Sequence, residues 1–122
     1  MAFLTIKNVS VVGMSACVPS DILKTEDIYH WEGCDTFVET TGIRQKRRAS
    51  DDVCASDLCL KAAESLLQEM KWGKDEIDAI IFVSQTADYR LPSTAPIIQH
   101  KLGLSKNCFT LDISLGCSGW VY

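Results

Sequence analysis

The chain is poor in histidine and proline: two His and three Pro stand among 122 residues. Its cysteines form no Cys-x-x-Cys pair, so with so few histidines the ligand spacing of a structural zinc site is missing. Positive charge is also in short supply. Twelve Lys+Arg face sixteen Asp+Glu, a net charge of −4, which argues against the basic face that general nucleic-acid binding needs. No apolar run approaches the roughly 20 residues that span a bilayer. The first eight residues carry no basic region followed by an apolar stretch, so they make a poor secretory leader. Repeats, low-complexity tracts and Pro/Gly/Ser linkers are absent from the sequence. What remains is 47% hydrophobic and 23% charged, ordinary for a globular core. A chain this long buries about two-thirds of its unfolded surface and needs no staples to fold.

Six cysteines stand at 17, 34, 54, 59, 108 and 117. An even count in a secreted chain would suggest disulfides. Without a leader, reduced thiols in the cytoplasm are the expectation, most of them buried as small apolar groups.

Residues 4–17 read as an extended segment rich in Val and Ile. Thr25 is a candidate N-cap, followed by acids in a first turn. The segment 42–48 holds the basic cluster Arg44, Lys46, Arg47 and Arg48, expected as a solvated strand or loop, with a partner-binding patch as the alternative. Ala55, Leu58, Cys59, Ala62, Ala63, Leu66, Leu67 and Met70 recur at helical spacing. Ser50, Asp51 or Asp52 could cap that helix, and Gly73 would end it. Residues 79–83 are apolar on both faces, as in a buried central strand. Ser93 or Thr94 would start a second helix, with Pro96 tolerated in its first turn and Gly103 at its end. Its buried face would be Ala95, Ile98 and Leu102. Residues 108–113 form another inner strand. This alternation predicts an α/β fold with a largely parallel sheet.

After that strand the chain turns at Cys117, between Gly116 and Gly119. A side chain at the end of a parallel strand faces the crevice where α/β sheets bind ligands. A helix opening there would favour a thiolate and set a backbone N–H near an oxyanion. The position suits acyl transfer through a thioester. A packed cysteine at a strand end is the alternative. A cysteine nucleophile also wants a base, and His30 and His100 have no sequence reason to face it.

Three segments stand in register: Thr41-Gly42-Ile43-Arg44, Leu91-Pro92-Ser93-Thr94-Ala95 within 85–95, and Cys117-Ser118-Gly119 within 112–122. Together they resemble bacterial β-ketoacyl-acyl carrier protein synthase III, over nearly the whole chain. The resemblance implies a thiolase-like fold of layered αβαβα architecture, with residues 1–122 as its N-terminal half-domain. It implies a cytoplasmic homodimer that binds no membrane and no nucleic acid, with acyl-CoA and acyl carrier protein as substrates, no bound cofactor and no metal. The implied activity is acyl transfer followed by decarboxylating condensation with malonyl-acyl carrier protein. Cys117 would be the catalytic, acyl-accepting nucleophile. Leu91 would help close the acyl pocket of the partner subunit. The His and Asn of the family lie outside these residues, so the isolated chain is expected to be inactive.

Thr36, Thr40 and Thr41 fall in the family's substrate-binding region. Thr36 and Thr40 stand where initiating members carry a Trp and an Arg that hold the CoA nucleotide. An adenine stacking surface and a phosphate partner are thereby lost. Leu91 replaces a frequent Phe, which suits a longer or branched primer. An acyl carrier protein donor fits as well. Another thiolase-fold condensing enzyme, such as a hydroxymethylglutaryl-CoA synthase or a specialised lipid synthase, and a non-catalytic dimerising fragment are the alternatives.

Overall fold

The computed structural model describes residues 5–28 and 33–122. Its elements run β1 (Asp21–Lys24), α1 (Thr25–Ile28), α2 (Cys34–Thr41), β2 (Gln45–Arg48), α3 (Ala55–Met70), β3 (Ala79–Val83), α4 (Thr94–Leu102) and β4 (Phe109–Ile113). Single 3₁₀ turns occupy Lys74–Glu76 and Cys117–Trp120.

The β3–α4–β4 unit is a parallel crossover, with Ala79 opposite Phe109 and Val83 opposite Ile113. Parallel neighbours need such a connection, and a helix supplies it. Side chains alternate along a strand. Ile80 and Phe82 therefore face α4, where Ala95, Ile98 and Leu102 are buried together with Leu104 and Cys108. Each of the large ones, Phe82, Ile98, Leu102 and Leu104, contributes about 1.5–3 kcal/mol on burial. The expected buried face of α4 is thus in place.

The opposite face of the pair is open: Ile81 is 56% exposed and Phe109 58%. The sequence pattern, apolar on both sides, describes a strand covered on both faces. Among the described residues only one cover, α4, is laid down.

The helix α3 takes the expected span, but its ends differ from the expectation. Cys54, not Ser50, Asp51 or Asp52, is the N-cap. Its amide donates to Asp57 Oδ2 at 3.0 Å, so the acid three residues on does the capping. At the other end Lys71, not Gly73, takes the left-handed conformation at φ 56°. Trp72 N–H then closes onto Leu67 O at 3.1 Å, which satisfies the last-turn carbonyls without glycine. The expected stripe also splits. Ala55, Ala63 and Leu67 pack on the core together with Leu60, which the stripe omitted, whereas Cys59 is exposed.

No ladder forms in residues 5–20, so the opening extended segment is not a paired strand. It runs beside α3 instead: a Cβ added at Gly13 would lie 3.0 Å from Leu66 Cδ1. Strands β1 and β2 pair with each other, antiparallel, Asp21 opposite Arg48. Thr25 is not an N-cap. It is buried, and its hydroxyl donates to Ile43 O at 2.7 Å, tying α1 to the segment that enters β2. The basic segment is a solvated strand, exposed along its length. Arg47 donates to Ser20 O at 2.8 Å and Pro19 O at 3.3 Å, so part of that charge holds the preceding loop.

Candidate active site

Strand β4 ends at Ile113, and four residues later the chain enters the 3₁₀ turn at Cys117. Gly119 N–H donates to Gly116 O at 2.8 Å and Val121 N–H to Ser118 O at 3.0 Å. The turn is pressed onto the end of β3. A Cβ at Gly119 would stand 2.4 Å from Val83 Cγ1, a distance no side chain tolerates, so glycine is required there by close approach. The Cys117 thiol is free and exposed. Its amide is the first of the turn, an end position that leaves an N–H free to face an oxyanion. The turn has four residues, and the summed dipole of a longer helix, expected at this position, is not built among the described residues.

The loop 84–93 borders this turn. Gln85 lies against Gly116: its Nε2 is 2.9 Å from where a Cβ on Gly116 would sit. Between loop and strand end lies an open cleft of about 570 Å³, lined among others by Phe82, Gln85, Asp88, Arg90, Asp112 and Ser114. Two carboxylates fix the loop. Asp88 accepts from Ser56 N–H at 3.3 Å and makes a short bond to the Ser56 hydroxyl, so it anchors the loop at the start of α3. Asp112, on β4, accepts from Thr94 N–H at 2.6 Å and Ala95 N–H at 2.7 Å. Ser93, the N-cap of α4, makes no side-chain capping bond. Two of the orphan amides of that helix are thus met from the neighbouring strand. The sequence reading placed residues 108–113 in an inner strand and gave Asp112 no role. An acid within an otherwise apolar inner strand was the available signal, because such a charge needs a buried partner.

The expected substrate-binding residues do not gather around Cys117. Thr40 Oγ1 donates to Thr36 O, and Thr41 Oγ1 to Phe37 O, both at 2.7 Å. These are hydroxyls bonded back to their own helix. Thr36, Thr40 and Thr41 are exposed on α2, and none lines the cleft beside the nucleophile turn. Leu91 is 84% exposed and points out of the chain.

Contrary to the expectation, the remaining thiols are not mostly buried. Cys108 is buried, Cys17 and Cys34 are half-buried, and Cys54 and Cys59 are exposed. Cys108 belongs to the buried core cluster, whereas Cys59, a member of the expected stripe, faces outward on α3. Partial desolvation of its sulfur against the helix, then the Asp88 carboxylate, pushes the Cys59 thiol up, so it is a poor nucleophile at neutral pH. His100 is exposed on α4, and His30 lies outside the described residues. Among the described residues no group of three or more His, Cys, Asp or Glu is placed to hold a metal. No described helix is long and apolar enough to cross a membrane.

The chain is a mixed α/β unit with an exposed cysteine on a glycine-flanked turn after an inner strand, and the solved structures it matches make its fold thiolase-like. The chain matches the 3-oxoacyl-(acyl-carrier protein) synthase of Burkholderia xenovorans at TM-score 0.81 and 41% identity, covering 88% of this chain and 32% of that one. It also matches a variant of Xanthomonas campestris OleA at TM-score 0.78 and 30% identity, over 88% and 34% of the two chains. By sequence it is 35% identical over 117 residues to the beta-ketoacyl-[acyl-carrier-protein] synthase III of Bacillus pumilus, covering 94% of this chain and 37% of the relative. The chain is therefore homologous to part of β-ketoacyl-acyl carrier protein synthase III. It spans about a third of the length of the curated relatives it matches. No protein-family profile matches it.

Proposed function

We propose that this chain carries the acyl-accepting thiol of a β-ketoacyl-acyl carrier protein synthase III-type condensing enzyme. One observation carries the reading: Cys117 is exposed on a turn whose geometry demands Gly119. In this reading residues 1–122 are the N-terminal part of the synthase, and a cytoplasmic setting goes with it. The Cys117 thiol gives up its proton and its sulfur attacks the carbonyl of an acyl thioester; the carbon–sulfur bond to the donor breaks, and the donor sulfur leaves with that proton as a thiol. Malonyl-acyl carrier protein then loses CO₂. The resulting carbanion attacks the Cys117 thioester, forming the C–C bond of 3-oxoacyl-acyl carrier protein and releasing the thiolate. The His and Asn that promote the second step in the family are expected outside these 122 residues. The chain alone should stop at the acyl-enzyme. The exposure of Leu91 supports its presentation to the acyl pocket of a second copy in a homodimer.

A second reading is favoured by Thr36 and Thr40. Neither position offers an aromatic face or a cation, and the Thr40 hydroxyl is turned onto its own backbone. A condensing enzyme of the same fold whose primer arrives on acyl carrier protein, or is not held through a CoA nucleotide, fits this surface. The test is peptide mass after incubation with a panel of acyl-CoAs and acyl carrier proteins. An acyl increment on Cys117 supports the thioester step, and the preferred donor separates the two readings. No increment from any donor overturns both.

A further inference from the structure

The course of the opening segment along α3 is fixed at two points. A Cβ added at Gly13 would stand 3.0 Å from Leu66 Cδ1 and 3.1 Å from Met70 Sδ. Farther on, Cys17 and Val18 line a cleft with Leu58 and Lys61, in the first two turns of the helix. The segment therefore runs antiparallel to α3. Four residues of chain reach at most roughly 14 Å, the length of about nine helical residues. Counted back from the turn between Leu66 and Met70, that distance ends at the level of Cys59. Cys59 also shares their side of the helix, because it stands seven residues before Leu66 and eleven before Met70, each close to a whole number of turns. Two free thiols, Cys17 half-buried and Cys59 exposed, thus come together where the segment crosses the helix. The Cys59 thiol responds to that neighbour: after desolvation and the Asp88 carboxylate, Cys17 is the remaining influence that raises it. No ladder holds residues 5–20, so a covalent tie at this crossing would change their freedom more than that of any paired strand.

We propose that Cys17 and Cys59 form a redox-responsive dithiol, which a peroxide closes into a disulfide that staples the opening segment to α3. The Cys17 sulfur attacks one peroxide oxygen and the O–O bond breaks, giving a Cys17 sulfenic acid and one water. The Cys59 sulfur then attacks the sulfenic sulfur. The S–O bond breaks, and its oxygen leaves as a second water with the Cys59 proton. The two thiols lose two electrons to the peroxide. Cys17 is the first to be oxidised, since Cys59 is the poorer nucleophile. A reducing cytoplasm keeps the pair open, as expected of a cysteine pair that senses oxidants there. Cys117 takes no part in this chemistry, so the staple and the acyl-enzyme reading fail or hold separately.

The test treats the folded 122-residue chain with hydrogen peroxide, blocks remaining thiols with N-ethylmaleimide, and maps disulfides by peptide mass without reduction. The 17–59 pair is expected to dominate, and the same oxidation in urea should spread the pairing over the other cysteines. Closing so long a loop should raise the melting temperature by about 5–15 °C and slow amide exchange in residues 10–20, and dithiothreitol should reverse both. In Cys59→Ser, a change at an exposed position, the staple should be lost and dimedone should trap Cys17 as its sulfenic acid. A folded wild type that yields no 17–59 peptide overturns the proposal, whichever thiols are oxidised instead. A 17–59 yield no higher in the folded chain than in urea overturns it too, because the fold would then not bring the pair together. A disulfide that forms but leaves melting and exchange unchanged overturns the stapling role.

Discussion

Two regions of this chain are held together by different means. The unit β3–α4–β4, with α3 behind it, closes around buried apolar side chains: Phe82, Ala95, Ile98, Leu102, Leu104 and Cys108. The unit β1–α1–α2–β2 has no buried apolar side chain among its described residues, and Thr25 is its buried residue. It is held by the β1–β2 ladder, by the Thr25 bond to Ile43 O and by Arg47 on the carbonyls of Pro19 and Ser20. A region closed by burial resists local opening. One closed by exposed hydrogen bonds opens at little cost. The candidate nucleophile stands on the first kind of region, and the expected nucleotide-contacting residues on the second. Precision at Cys117 and adaptability around Thr36 and Thr40 follow from that placement.

The largest effect that would sharpen this comparison comes from matched truncations. Phe82→Ala should cost about 3–5 kcal/mol, since it empties the core. Ile22→Ala, on the half-exposed face of β1, should cost about 0.5 kcal/mol or less. Urea denaturation of the two variants measures both. Equal costs would mean that the β1–β2 unit has a core of its own and would break the distinction.

The second effect concerns the turn. Gly119→Ala places a methyl group 2.4 Å from Val83 Cγ1, and overpacking of this kind costs about 1–3 kcal/mol. The alkylation rate of Cys117 should change with it, because the turn must lift from β3. Adding Val83→Ala makes room and should recover part of both losses, a coupling expected of residues in contact. Full additivity in that double-mutant cycle would show that the contact does not hold the turn.

How much of this was legible in the sequence differs between the same two regions. In the second half, apolar periodicity set out α3, β3, α4 and β4 nearly to the residue, and Cys117 was marked by its glycines. Burial is the force that holds those elements, and burial leaves a pattern. The details that failed there were polar: the cap at Cys54, the left-handed Lys71, and Asp112 capping a helix that starts eighteen residues earlier in the chain. Such bonds depend on which segments meet in space. In the first half, the residues 5–20 carry strand-like composition, but a ladder needs a neighbour, and composition does not name one. The roles expected for Thr36, Thr40 and Thr41 came from resemblance, and the helix uses two of those hydroxyls on its own carbonyls.

A third, smaller effect tests the polar tie of the first region. Thr25→Val keeps the shape and removes the donor to Ile43 O. The loss should be about 1 kcal/mol, the net share of one hydrogen bond. Hydrogen exchange should show it as faster exchange of the β1–β2 amides, with the amides of β3 and β4 unchanged. Uniform acceleration across the chain would mean that the two regions open as one.

The smallest expected effect lies at the start of α3, where Asp57 does two things at once. Oδ2 accepts the Cys54 amide at 3.0 Å and Oδ1 meets Lys101 Nζ of α4 at 3.1 Å. The Cys54 amide, then Lys101, holds the Asp57 carboxyl below the usual carboxylate range, and the Asp57 bond raises Lys101. A carboxyl whose pKa is lowered by folding stabilises the fold above its unfolded value, about 3.9, and that contribution disappears as pH falls through the folded value. The raised Lys101 contributes below its own unfolded value and loses that contribution as pH rises through the folded one. Both groups are exposed, so solvent and salt screen them and the total is small. Asp57→Asn separates the two roles, since its carbonyl oxygen can still cap Cys54 while the charge facing Lys101 is gone. The stability difference between wild type and Asp57→Asn should be present at neutral pH, shrink in 1 M salt and vanish on acidification below the ordinary carboxylate range. Asp57→Ala removes the cap as well, and its deficit should persist in high salt. A wild-type advantage over Asp57→Asn that survives both acid and salt would show that the ion pair does not account for it and that the asparagine oxygen fails to keep the Cys54 cap.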